Sequence, residues 1–151
     1  MPVDASLAGT SYRPDALHEV DRAAIRAFAE AVGAHSPVHR DPGAARALGY
    51  PDVIAPPTFV FRVAHDSCTR LLRSPELGLA SAHLVHADQR IVQLRPVRAG
   101  DRLAVTAHLD AVGRLRDSDV LRMRAEVRDE AGEQIAETRM TVVAKDPEEP
   151  E

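Results

Sequence analysis

Apolar residues recur along this chain in two rhythms, and the rhythm changes near residue 80. Before that point the spacing is helical. Ile25, Phe28, Ala29 and Val32 fall on one face of a helix predicted over residues 22–32, with Asp21 as its N-cap and Gly33 placed to end it. A short helix is predicted over 42–48, with Pro42 in its first turn and Gly49 closing it. Residues 52–57 read as extended, because Pro56 and Pro57 each bias the residue before them away from the helical region. A longer helix is predicted over 58–72. Thr58 opens it as a cap, Phe59, Val63, Ala64, Ser67, Leu71 and Leu72 form its buried face, and Ser74-Pro75 stops it.

Beyond residue 80 the period is two. Strands are predicted over 82–96, 102–112, 120–128 and 134–144. Leu103, Val105, Ala107 and Leu109 alternate with polar neighbours, and Leu121, Met123, Ala125 and Val127 alternate with Arg122, Arg124, Glu126 and Arg128. Ala99-Gly100-Asp101 and residues 129–133 read as turns between neighbouring antiparallel strands. Residues 1–10 read as a loose entry segment leading into a short extended piece at Ser11-Tyr12. One long helix followed by a run of long strands predicts an α+β fold. The 151 residues are enough for one domain with a genuine core, expected over 1–145. Residues 146–151 are acidic and proline-containing, and are expected to be a disordered tail.

Composition narrows the function classes. A net charge of −4 and 3% aromatic residues argue against nucleic-acid binding. No apolar run reaches the 18 or so residues of a membrane span, so no membrane association is expected. No basic segment followed by an apolar stretch opens the chain, so no signal peptide is expected. The single cysteine, Cys68, cannot form an internal disulfide, which fits a cytoplasmic location. It falls inside the long predicted helix, where a buried and inert thiol is expected. Lys145 is the only lysine among the 19 basic residues, which reads as codon bias of a GC-rich genome.

The candidate chemistry lies between Gly33 and Thr58. The stretch reads Gly33-Ala34-His35-Ser36-Pro37-Val38-His39-Arg40-Asp41-Pro42, then Ala44-Ala45-Arg46-Ala47-Leu48-Gly49-Tyr50, then Ile54-Ala55-Pro56-Pro57-Thr58. It resembles the signature of the MaoC-like, (R)-specific enoyl hydratase/3-hydroxyacyl dehydratase family: Gly-Asp-x-Asn-Pro-x-His-x-Asp-Pro, an Ala-rich helix ending in Gly-Phe or Gly-Tyr, then Ile-Ala-His-Gly-Met. His86-Ala87-Asp88-Gln89 followed by Arg95-Pro96-Val97-Arg98-Ala99-Gly100-Asp101 looks like the strand-and-turn segment of FAS1-like dehydratase domains. The resemblance spans roughly residues 7–145 and implies the hot-dog fold, an antiparallel sheet wrapped around one central helix. It is greatest to the auxiliary A- and C-type subunits of actinobacterial (3R)-hydroxyacyl-ACP dehydratases.

Removing water from a 3-hydroxyacyl thioester needs a base beside the carbonyl, an acid for the departing hydroxyl and a donor to the enolate-like oxygen. The resemblance implies that an Asp and a His share the proton transfers and that a Gly N–H serves the oxygen. His39 occupies the position of the His, Ala34 that of the Asp and Pro57 that of the Gly. Ala34 cannot exchange a proton, and Pro57 has no backbone N–H. One oxyanion donor is worth about 10²–10³ in rate. One positioned acid–base group is worth roughly 10²–10⁴. The motif is kept in outline and broken in chemistry.

Auxiliary subunits of this kind lack the catalytic pair and join a catalytic MaoC-like subunit as a heterodimer, contributing an acyl-chain channel. The resemblance therefore implies an acyl-ACP or acyl-CoA substrate, no cofactor, and a heterodimer or, failing that, a homodimer. His39 departs from the auxiliary pattern, in which a non-histidine residue often stands there. The candidate channel wall comprises Pro57, Thr58, Phe59 and Phe61 facing His86 and Gln89, each also suited to ordinary core packing. Three alternatives remain open: a self-sufficient enzyme pairing His39 with His35, Asp41 or Asp88; a catalytically silent acyl-binding or assembly protein; and a thioesterase. For the last, no Asp or Glu is evidently placed at the start of the long helix to activate water. A metal site drawn from His35, His39, Asp41, His83 and His86 lacks any supporting Cys pair or helical His-Glu framework, and none is expected.

Overall fold

In the computed structural model, which describes residues 2–145, six strands form one sheet and a single long helix packs across it. Helix α1 (Arg22–Ala31) is capped by the Asp21 carboxylate, which accepts the Ala24 N–H, and Gly33 leaves it in the left-handed region at φ 70°. Ile25 and Ala29 are buried as the spacing predicts, but Val32, the C-cap at the end of the helix, is 50% exposed. Helix α2 (Pro42–Ala47) follows, with Asp41 accepting the Gly43 N–H as its cap.

Helix α3 (Phe59–Leu72) buries the predicted face, and Val60 and Cys68 with it. Fully burying a side chain of the Val, Leu or Phe class is worth about 1.5–3 kcal/mol, so this face is the main contribution of α3 to the core. Thr58 precedes the first turn but makes no side-chain cap, because its own backbone is already helical (φ −80°, ψ −5°) where a capping residue is extended.

The strands are β1 (Ser11–Tyr12), β2 (His18–Glu19), β3 (His83–Gln93), β4 (Arg102–Leu115), β5 (Ser118–Arg128) and β6 (Gln134–Lys145). The sheet order is β1-β4-β5-β6-β3, with β2 also on β4. β4, β5 and β6 form the expected meander, and residues 129–133 turn between neighbours. The turn at Ala99-Gly100-Asp101 does not: β3 pairs with β6 at the far side of the sheet, so the expected β3–β4 hairpin is replaced by a crossover. The inward residues of β4, β5 and β6, among them Leu103, Leu109, Leu121, Met123, Ile135 and Val142, close the core over α3. β3 is exposed over most of its length, with Val85 59% and Val92 44% exposed. The acidic tail, 146–151, lies outside the described residues.

Candidate functional site

His39 sits on a single 3-10 turn, Pro37–His39, between α1 and α2. The turn is fixed at both ends. The Ala34 N–H donates to the Ala29 carbonyl at 2.8 Å, and the Asp41 N–H donates to the Pro37 carbonyl at 2.8 Å. His39 itself is 8% exposed, and its Nδ1 lies 2.7 Å from the Ile54 carbonyl oxygen. A carbonyl only accepts, so Nδ1 carries the hydrogen and the neutral ring keeps Nε2 as its basic nitrogen.

Ile54 is held in turn. Its N–H donates to Val38 at 3.1 Å, and it forms a β-bridge with Arg98. The Ala55 N–H donates to Val97 at 2.7 Å and the Ala99 N–H to Val53 at 3.1 Å, so residues 53–55 and 97–99 run side by side. Asp101 locks the second of these segments. Its carboxylate, 8% exposed, accepts both Arg95 Nη groups at 2.9 Å and the Arg98 N–H at 2.9 Å. Asp52 ties the first segment to α1 through Arg22 at 2.8 and 3.0 Å; these bonds, chief among the influences on it, hold its carboxyl down at about 2.

The other predicted site residues divide. Ala34 is half-buried in the loop before His39, and Pro57 and Thr58 are exposed at the entry to α3. Phe59 is buried in the core, its ring edge-on to Phe28 at 5.3 Å. Phe61 and His86 do come together: their rings stack at 5.3 Å and 25° across the gap between α3 and β3. His65 extends this cluster, 5.5 Å from Phe61. It was missed in the sequence, although a residue four positions after Phe61 on a helix shares its face. Gln89 Nε2 donates to the Arg90 carbonyl at 3.3 Å, while its Oε1 is buried with no partner among the described residues.

His35 is exposed, and Asp41 is exposed and occupied as the α2 cap at 2.8 Å. Asp88 lies opposite Thr141, which alternates with buried Met140 and Val142, so Asp88 belongs to the outer face of the sheet. Among the described residues no group of three or more His, Cys, Asp or Glu side chains could hold a metal ion. Among the described residues no helix is long and apolar enough to cross a membrane. Burial pushes the Cys68 thiol up to about 12. The arrangement thus offers an oriented imidazole, no carboxylate at position 34, no N–H at position 57, and an aromatic cluster beside a strand edge that no described strand covers.

Known proteins share this plan. A UPF0336 protein of Streptomyces coelicolor is 48% identical over 149 residues, covering 99% of both chains. A MaoC-like dehydratase superposes with a TM-score of 0.86 at 30% identity, over 93% of this chain and 43% of the longer protein. A chain of the C-terminally truncated HadBC (3R-hydroxyacyl-ACP dehydratase) complex from Mycobacterium tuberculosis superposes with a TM-score of 0.84 at 29% identity, over 95% of this chain and 99% of that one. The fold is the hot-dog fold expected from the sequence. The model of the FAS1-like dehydratase domain region matches residues 6–138, and with nearly the whole sheet and helix inside that match, the chain belongs to the FAS1-like dehydratase family.

Proposed function

We propose that the chain is the auxiliary, substrate-binding subunit of an (R)-3-hydroxyacyl thioester dehydratase, or enoyl hydratase. Its substrate is an acyl chain on acyl carrier protein or coenzyme A, in fatty-acid or reducing polyketide synthesis. One observation carries the reading: hydrogen bonds tie the loop around His39 to α1 and to Ile54, yet residues 34 and 57 are Ala and Pro. An architecture held this firmly around missing chemistry fits a subunit that supports a working site elsewhere.

The partner this reading requires is a catalytic MaoC-like subunit, with a homodimer as the fallback. The outer edge of β3 supports it, since no strand among the described residues covers that edge and Val85, Val92 and Leu94 stand exposed there. Similarity to a chain of a heteromeric dehydratase complex points the same way. A single cytoplasmic domain over residues 1–145 belongs to the same proposal. The self-sufficient alternative is the weaker one: Asp41 is occupied as a helix cap, and Asp88 lies on the sheet face away from α3.

The test is hydration of crotonyl and longer enoyl thioesters by the pure chain and by the chain co-expressed with a catalytic MaoC-like subunit. The pure chain should turn over barely above background and the complex should be active. Robust turnover by the pure chain, abolished by His39→Ala, would overturn the proposal. A stable complex with no gain over the catalytic subunit alone would leave only an acyl-binding or assembly role.

A further inference from the structure

On the sheet face turned away from α3, the strand register lines up arginines. Arg90 of β3 lies directly opposite Arg139 of β6, Arg139 directly opposite Arg124 of β5, and Arg124 opposite His108 of β4. In the next row Asp88 faces Thr141, and Thr141 faces Arg122. Like charges placed directly opposite one another destabilise a sheet unless neighbouring carboxylates offset them. Part of it is neutralised locally. Asp110 accepts from Arg124 at 3.1 and 3.3 Å, Glu126 also accepts from Arg124, and Glu137 accepts from Arg139 at 2.7 Å. Arg90 and Arg122 are exposed and make no ion pair with any described residue.

Between these two arginines the sheet surface dips into a groove of about 530 Å³, walled by Asp88, Arg90, Asp110, Arg122, Arg139 and Thr141. A register shift in β3 between His86 and Asp88, and another in β4 between Leu109 and Ala111, flank the groove on its two sides. Such bulges twist a strand locally and re-aim its side chains, here around one concavity.

We propose that this groove binds a small phosphate-bearing ligand that also carries hydroxyl or amine donors, a sugar phosphate or a nucleotide. Guanidinium groups recognise phosphate oxygens in a two-pronged fashion, and an anion seated among them removes the repulsion that the register imposes. Neighbouring strands lie about 4.8 Å apart, so from Arg90 on β3 across β6 to Arg122 on β5 the groove spans about 10 Å across the strands, the reach of one or two phosphate groups. Asp88 is not engaged by either arginine, and its carboxylate sets the rest of the ligand's chemistry. It repels a bare polyanion or an acidic protein surface, and it accepts hydrogen bonds from a ribose hydroxyl or an amine. The site lies across the sheet from the Phe61–His86 cluster and does not depend on the dehydratase reading.

Calorimetric titration of the full chain with ADP, with adenosine and inorganic pyrophosphate in parallel, tests the proposal. ADP should bind saturably with a dissociation constant below about 1 mM, adenosine should not bind, and pyrophosphate should bind several-fold more weakly than ADP. The double variant Arg90→Gln, Arg122→Gln should lose about tenfold or more in ADP affinity. It should also unfold at an equal or higher temperature than the parent without ligand, because the repulsion between Arg90 and Arg139 is relieved and Arg122 has no ion pair to lose. Absence of saturable ADP binding up to about 5 mM, or binding unchanged in the double variant, would overturn the site. A double variant of lower melting temperature would do the same, by showing that the arginines serve the fold. Pyrophosphate binding as tight as ADP would overturn the ligand class.

Discussion

Replacing Asp101 by Ala should unfasten the candidate site from a distance. The substitution removes one carboxylate that holds both Nη groups of Arg95 at 2.9 Å and the Arg98 N–H at 2.9 Å. Breaking a buried ion pair by deleting one partner costs about 3–5 kcal/mol, because the other charge is left without compensation. Arg95 is 25% exposed and has Asp129 at 3.6 Å as a second partner, which offsets part of the loss. A cost of about 2–4 kcal/mol is the expectation. At roughly 2–4 °C per kcal/mol for a chain of this size, the melting temperature should fall by about 5–15 °C.

Thermal unfolding followed by circular dichroism, with urea titration as a second measure, reads this directly. Asp101→Asn keeps one acceptor and the side-chain volume, so it should lose roughly half as much. The clamp also leads to His39 through residues 97–99 and Ile54, so the His39 Nδ1–H, followed by NMR, should exchange faster in the Ala variant. A loss below about 1 kcal/mol, or unchanged exchange at His39, would refute the chain of support drawn here from Asp101 to the imidazole.

Three further outcomes follow from other parts of the molecule. Ala34→Asp with Pro57→Gly should restore measurable enoyl-thioester hydration if the loop geometry is intact; a folded double variant with no gain would mean the cavity has been lost along with the chemistry. Val85→Lys with Val92→Lys places charges on the exposed side chains of β3, and light scattering should show weakened assembly with no loss of fold, whereas assembly of parental strength would exclude β3 as the interface. Cys68 is buried and its thiol pushed up to about 12, so at pH 8 a thiol reagent should label it roughly 10³-fold more slowly than a free thiol, with full labelling on unfolding. Because that value is raised above the unfolded one, the thiol's contribution to stability is complete below about pH 8.5 and declines as pH rises towards 12.

The sequence revealed what is local. Asp21 and Asp41 cap their helices, and alternation located β4, β5 and β6, because caps and periodicity are written within a few residues of one another. It did not reveal where β3 goes. Ala99-Gly100-Asp101 has the composition of a hairpin turn, but Asp101 spends its side chain on Arg95 and Arg98 rather than on closing a β3–β4 pair, and β3 crosses to β6. Thr58 has the right residue type for a cap and the wrong backbone angles. The site divided in the same way. His39 and the replacements at residues 34 and 57 are implied by the resemblance to the family signature, whereas the Ile54 carbonyl that sets the imidazole tautomer and the stacking of Phe61 on His86 join segments that only the fold brings together.

The two margins of the sheet differ in a way that limits growth. Along β4 the short strands β1 and β2 occupy the margin and break its register into pieces too short to template another chain. Along β3 the margin runs for 11 residues, broken only by the bulge between His86 and Asp88. A sheet with one open and one stopped margin can join once and then has nowhere left to extend. Pairing through β3 therefore ends in a closed pair and cannot propagate into a filament, whichever chain comes to meet it.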